Sequence, residues 1–372
     1  MSVINHIIVL SGGGRNCGIE LLRILSMLMI LTIHYWLFCF PLDKLTPLSF
    51  EWIFGTTLKG FSQCGVNVFV LISAYYLCTS GYKIKRIWSI ITQVLFYSIS
   101  VYLFLLLSHL ISFSVSDFRV LFPVLFREYW FVTEYVGMII LSPFMNRLIS
   151  SMSSTEYKHL IFVIISLFVI YQSVFFFCGG LALGRGMDIV WFVCLYFIGA
   201  YLRLYCNIDV WLNFFKKNWI LSLIIVFLPS IWGVLTGGIT FILMGKTLFV
   251  EDLWVYNSLL VLPASVVWFI LAFKLDIKES LSNPILIFGK TSFAVYLITD
   301  NRNMRYILWD FIGKHTSINT FNIVWQFFAT IIVLYLICSV VDLFRQFLFS
   351  KVKVPVFISN KFQIIDNWFN LC

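Results

Sequence analysis

The chain has 372 residues, of which 61% are hydrophobic and only 12% charged, with 40 phenylalanines and a formal net charge of +9. A soluble domain is about 45–50% apolar and about 25% charged, because its surface must be covered by polar groups; lipid imposes no such demand. This composition excludes a soluble globular core. The positive charge is spread over many short connections rather than gathered on one face, which argues against nucleic acid as a partner.

In chain order, the first 17 residues form a short lead-in that contains Ser11-Gly12-Gly13-Gly14-Arg15. It shows neither the cleavage pattern of a signal peptide nor the spacing and lysine of a phosphate loop. Ten apolar segments of membrane-spanning length follow, near 18–40, 60–80, 88–111, 129–149, 160–178, 189–206, 218–236, 253–273, 285–309 and 320–342. The expected fold is therefore all-α: a polytopic membrane helix bundle of about ten transmembrane helices, occupying residues 18–345, with a polar-aromatic tail at 346–372. Nine cysteines occur without any C-x-x-C pair and read as buried free thiols. No metal site is expected.

Orientation follows from lysine and arginine. With the N-terminus placed in the cytoplasm, 16 of the 26 basic residues fall on the inner side, 9 on the outer side, and Arg23 lies within the first span. Both termini are thus expected in the cytoplasm, in a multi-pass protein of the cytoplasmic membrane with lipid as its immediate partner.

Several residues remain unexplained by composition. The first span carries Glu20, Arg23 and His34 in an otherwise apolar run. Ionisable residues in hydrocarbon are costly, so they usually face the bundle interior and serve function. At about 100° per residue, the eleven steps from Arg23 to His34 leave a net rotation of about 20°, and Glu20 lies three residues before Arg23. All three are expected on one polar seam, with His34 about 16 Å deeper than Arg23. The second span contains Asn67 and ends at the basic cluster Lys83-Ile84-Lys85-Arg86. That cluster anchors the span and suits a polyanionic nucleotide tail beside Arg23. The fourth span opens with Arg127-Glu128-Tyr129-Trp130-Phe131 and carries Glu134. In the ninth, Asp300, Asn301, Arg302, Asn303 and Arg305 interrupt an apolar stretch, a density that suits a water-accessible cavity.

Together these residues resemble the acyltransferase type 3 family, multi-pass membrane acyltransferases that O-acetylate cell-surface polysaccharides. Four stretches carry the resemblance: Gly18 to His34, with Arg23 and His34 separated by ten residues; Gly65 to Leu77; Tyr129-Trp130-Phe131 through Leu141-Ser142-Pro143-Phe144; and Phe293 to Trp309. The resemblance implies transfer of an acyl group, usually acetyl, from cytoplasmic acyl-CoA, used as a co-substrate, to a hydroxyl of a carbohydrate acceptor in the cell envelope. His34, Arg23 and Glu20 are then the candidate catalytic residues, with Arg23, Lys85 and Arg86 expected to hold the donor. Asn67, Trp130, Glu134, Asp300, Asn301 and Arg305 are expected to hold the acceptor, a polysaccharide or a lipid-linked glycan. The chain departs from the family pattern at Ala74, where glycine is usual, at Asn67, where aspartate is common, and at Thr299, where relatives often carry histidine. A non-enzymatic transporter or flippase for a lipid-linked glycan is the alternative. A glycan polymerase would call for a large outer loop, which this sequence lacks.

Overall fold

The computed structural model describes residues 16–176, 184–316, 322–352 and 366. Residues 1–15 with the glycine run, Cys178, Cys372 and nearly all of the tail beyond Val352 lie outside the described residues, whereas Asn16 and Cys17, expected in the lead-in, begin the first helix. Among those described, the chain is helical and contains no strand. The helices are α1 (Cys17–His34), α2 (Phe50–Ser62), α3 (Gly65–Leu77), α4 (Ile84–Leu107), α5 (Trp130–Ser151), α6 (Ser154–Ile164), α7 (Ile189–Leu204), α8 (Ile208–Lys217), α9 (Trp219–Met244), α10 (Val261–Phe273), α11 (Glu279–Thr299), α12 (Arg302–His315) and α13 (Ile323–Val352). The all-α helical bundle expected from composition is what the chain forms.

Among the described residues, seven helical stretches are long and apolar enough to cross a membrane: Cys17–Cys39, Phe50–Leu77, Ile84–Leu107, Ser154–Val174, Trp219–Met244, Glu279–Thr299 and Ile323–Val352. The other three expected spans are helical but differ in kind. Helix α5 has the length, but Glu134, Asn146, Arg147 and four serines or threonines lower its hydropathy. Helix α7 is short and meets α8 at a bend of 95°. Helix α8 carries Trp211 and Phe214 on an exposed face and ends in Lys216-Lys217, the pattern of a helix lying along a membrane surface. Helix α10 has only 13 residues. It is preceded by non-helical backbone at Leu253–Ser258 that is buried inside the protein, where irregular backbone is tolerated at membrane depth.

Two further differences matter for the site. A helix not expected from sequence, α2, precedes α3; Glu51 and Lys59 interrupt its apolar pattern, and Lys59 is buried against Glu251 of the loop before α10. The ninth expected span breaks in two. Helix α11 ends at Thr299, and Asn301 caps α12 by accepting from the backbone N–H of Asn303 and Met304. Asp300 is thereby left at the break.

Helix α1 is the hub, packed against α2, α3, α10, α11 and α13. Its start is pinned by Asn16, whose Oδ1 accepts from the Ile19 N–H and whose Nδ2 donates to the carbonyl of Phe273 at 2.8 Å. Close approach to α11 depends on Gly289: a Cβ there would lie 2.5 Å from Glu20 Oε2. At the α3–α7 contact, Ala74 is fully buried and a Cβ on Gly199 would lie 2.6 Å from the Ala74 Cβ. The methyl group that stands at 74 is thus accommodated by a glycine on the facing helix. Outward faces are apolar: Trp325, Val340 and Phe344 of α13 are well exposed, as lipid-facing side chains should be. The described cysteines are all free, with Cys64, Cys194 and Cys338 buried.

Candidate active site

A cavity lies beside α1 toward each of its ends. The first, of about 220 Å³, is walled mostly by apolar side chains such as Met27, Ile30, Val66 and Phe131, and its polar residues include His34, Asp300 and Arg305. His34 stands on the last turn of α1, and the helix continues as a wider-wound turn over Tyr35–Cys39. Its Nε2 lies 3.6 Å from Asp300 Oδ1. Arg305 reaches the same carboxylate oxygen at 2.7 Å and also donates to the Asp300 carbonyl at 3.0 Å. The Asp300 side chain is only 3% exposed, so its charge is compensated by Arg305 rather than by water.

The break between α11 and α12 makes this arrangement. It brings the carboxylate from one helix end and the guanidinium from the first turn of the next to the same imidazole. Phe38 covers the group on one side, with its ring 5.8 Å from His34 and the Arg305 guanidinium 5.6 Å above it. Trp309 meets the imidazole edge-on at 6.3 Å. The other ring nitrogen, His34 Nδ1, is buried and has no hydrogen-bond partner among the described residues. Buried polar atoms are rarely left so, and at such a site an unfilled position points to a substrate or a water. Trp130 lines the cavity, stacked on Tyr256 with rings 5.9 Å apart and 14° between planes.

The second cavity, of about 490 Å³, lies at the Arg23 end. Arg23, Gln93, Tyr135, Lys290, Arg345 and Gln346 are in its wall. Phe69 and Phe293 line both cavities, so the two share an aromatic partition. Arg23 is held by Glu20, NH1 to Oε1 at 2.7 Å, and Glu20 is buried against α11. The single seam expected along α1 is therefore divided: Glu20 and Arg23 belong to one cavity and His34 to the other.

The remaining sequence candidates fall in varied places. Asn67 is fully buried and occupied at both ends, donating to the Tyr256 carbonyl at 2.7 Å and accepting from Trp191 Nε1 at 3.0 Å. An aspartate there could not make the first of these bonds, which accounts for the amide. Asn301 caps α12 and donates to the Tyr129 hydroxyl at 2.7 Å, and Tyr129 donates in turn to the Leu297 carbonyl. Both asparagines hold cavity-lining elements in place and lie outside the cavity wall itself. Glu134 pairs with Arg127 at 3.0 Å, and Arg127 also donates to the Met187 carbonyl, so this pair fastens cavity-lining Met187 to α5. Lys85 is exposed, while Arg86 donates to the Gly81 carbonyl and stands within electrostatic reach of Tyr135 in the Arg23 cavity. Sequence reasoning did not single out Lys290, Arg345, Phe69 or Phe293. The signal available for the basic pair was a charge near a span end, which topology alone explains.

No curated protein and no solved structure matches this chain. The model of the acyltransferase type 3 family, described as an acyltransferase domain, matches residues 16–342. That match contains α1 with both Arg23 and His34, the α11–α12 break with Asp300 and Arg305, and the aromatic partition between the cavities. The chain belongs to this acyltransferase family and is a multi-pass helical membrane protein.

Proposed function

We propose that the protein is an O-acyltransferase that moves an acyl group, acetyl in the simplest case, from cytoplasmic acyl-CoA to a carbohydrate hydroxyl at the outer face of the cytoplasmic membrane. The observation that carries this reading is the meeting of His34, Asp300 and Arg305 at the wall of an apolar cavity that adjoins a cationic one. An acyl thioester is amphipathic in the matching sense: phosphates at one end, an uncharged reacting group at the other. The basic asymmetry of the sequence supports an Arg23 end that faces the cytoplasm, where the donor is made.

In this reading the donor enters from the Arg23 end, past the basic cluster of Lys85 and Arg86, with its phosphates near Arg23 and its thioester passed between Phe69 and Phe293. The acceptor approaches from the side of Trp130, whose ring suits the face of a sugar, and Asp300, Asn301 and Arg305 shape the rest of that end. His34 takes the proton from the attacking hydroxyl as oxygen bonds to the acyl carbon. Asp300 orients the imidazole and favours its cationic form, and Arg305 offsets the Asp300 charge and faces the developing oxyanion. Collapse of the tetrahedral intermediate breaks the carbon–sulfur bond, and the proton returns from His34 to the departing thiolate. The apolar wall excludes water, which would otherwise hydrolyse the thioester.

The test is transfer by the purified protein in nanodiscs, from radiolabelled acetyl-CoA to surface glycans extracted from cells that lack it. Acylated glycan and free CoA are expected in equal amounts. Movement of glycan across the bilayer with no covalent change would overturn this reading in favour of a transporter.

A further inference from the structure

We propose that Lys290 on α11 and Arg345 on α13 complete, with Arg23, a cradle for the phosphate groups of the donor. The proposal rests on the acyl-thioester reading above and deepens it, because it assigns the anion-binding wall to helices that the sequence pattern did not single out.

The first argument is charge. Among the described residues, the cavity at the Arg23 end has three basic side chains in its wall and no aspartate or glutamate. The acids that accompany the arginines, Glu20 and Asp342, are buried and absent from that wall. The amides of Gln93 and Gln346 stand in the same wall, each with its Nε2 toward Asp342. A wall of this kind suits a ligand with more than one negative group.

The second argument is how firmly Arg345 is set. Asp342, whose side chain is fully buried, holds the guanidinium through Nε at 2.7 Å. Asp342 is itself fixed by the Tyr97 hydroxyl at 2.7 Å and by Gln346 Nε2 at 2.7 Å. The guanidinium also lies 5.0 Å over the Phe349 ring. A guanidinium carries five N–H donors, so one bond to Asp342 orients it without exhausting its capacity for an anion. This is the construction of a positioned phosphate binder, whereas a basic residue that only marks topology needs no such support.

The third argument is reach. Arg23 and His34 are eleven residues apart on one helix, about 16 Å along its axis. The partition residues Phe69 and Phe293 connect the cradle to the His34 cavity. A ligand held here by phosphates reaches the imidazole only if its reacting group sits on a long, thin arm, as it does in a pantetheine thioester. Arg345 and Gln346 also lie beyond residue 342, where the family match ends, so family membership by itself says nothing of them.

The experiment compares two donors on the full-length protein: acetyl-CoA, and acetyl-pantetheine, which has the same thioester and arm but no phosphate. Lys290→Gln and Arg345→Lys are the variants, with Lys158→Ala, an exposed residue of α6, as the control. The expected result is a rise of about tenfold or more in KM for acetyl-CoA with Lys290→Gln, which corresponds to the loss of one charge-assisted contact, and a smaller rise with Arg345→Lys. Acetyl-pantetheine kinetics stay unchanged in both, and Lys158→Ala changes neither donor. Equal losses with both donors would make these residues structural and overturn the proposal, as would no loss with either. Binding of adenosine 3′,5′-bisphosphate is measured in parallel. If it does not bind, while phosphatidylglycerol nanodiscs stabilise the wild type and not Lys290→Gln, the cradle holds a lipid headgroup and the proposal falls. If the wild type uses neither thioester, the acyltransferase reading itself fails, and binding of the bisphosphate alone then decides the cradle.

Discussion

At the His34 cavity groups of opposite charge are fixed on one another; at the Arg23 cavity the charged groups are all basic and come from three helices, α1, α11 and α13. The first places His34, Asp300 and Arg305 within a few ångströms in an apolar shell. The second sets Arg23, Lys290 and Arg345 around a space more than twice as large, with each arginine backed by a buried acid. A reacting centre needs a small number of groups held in one geometry, because low dielectric and excluded water strengthen what they do. A binding site for a large polar anion needs many donors and tolerates solvent. The two constructions on one helix differ in the way those two tasks differ.

Substitutions can break or sharpen this contrast. The largest effect is expected from His34→Gln, which keeps hydrogen-bonding capacity but cannot take up a proton at neutral pH. Loss of a positioned base costs about 10²–10⁴-fold in rate. Transfer should fall by that order with donor binding retained; near-normal turnover in a folded variant would reduce His34 to a structural residue. Next is Asp300→Asn, which preserves shape and removes the charge that faces both His34 and Arg305. Contacts to charged groups contribute about 1.5–3 kcal/mol, so a loss on the order of 10–100-fold is expected. It should appear in kcat if, as proposed, the donor is held at the other cavity; a change confined to donor KM would contradict the separation of roles.

Smaller effects are expected at the partition and at the mouth. Phe293→Ala opens the wall that both cavities share and admits water to the thioester. The ratio of hydrolysis to transfer should rise several-fold, read as CoA released in excess of glycan acylated; an unchanged ratio would show that Phe293 does not seal the passage. The smallest change is expected from Lys85→Ala. Its side chain is exposed and outside the cavity wall. Exposed substitutions usually stay within about 0.5 kcal/mol, a factor of about two in donor KM. A tenfold rise would move the phosphate site from α11 and α13 to the basic cluster at the start of α4.

The comparison also marks how far the sequence could be read. Composition and span length were enough for an all-α membrane bundle, since both follow from the solvent a chain must satisfy. The 3.6-residue period led to one polar seam of Glu20, Arg23 and His34 along α1, because helix geometry is local; that the seam is divided between two cavities was outside its reach. Family membership was legible from the motifs at Gly18–His34 and Phe293–Trp309. The break at Asp300 was visible only as a density of polar residues in a stretch that was read as one span.

The rest was decided by packing between helices distant in sequence. Whether Asp300 stands beside His34 depends on where α11 ends and how α12 turns, and so on Asn301, whose side chain caps α12 while its amide holds Tyr129. Asn67 has the same amide chemistry as a ligand-binding residue, yet its neighbours from α7 and the loop before α10 occupy both ends. Lys290 and Arg345 read as span-end charges until α1, α4, α11 and α13 close around one space. Sequence fixes what each side chain can do and which side of its own helix it shares with others. Which groups meet is set by contacts hundreds of residues apart, and no local periodicity carries that information.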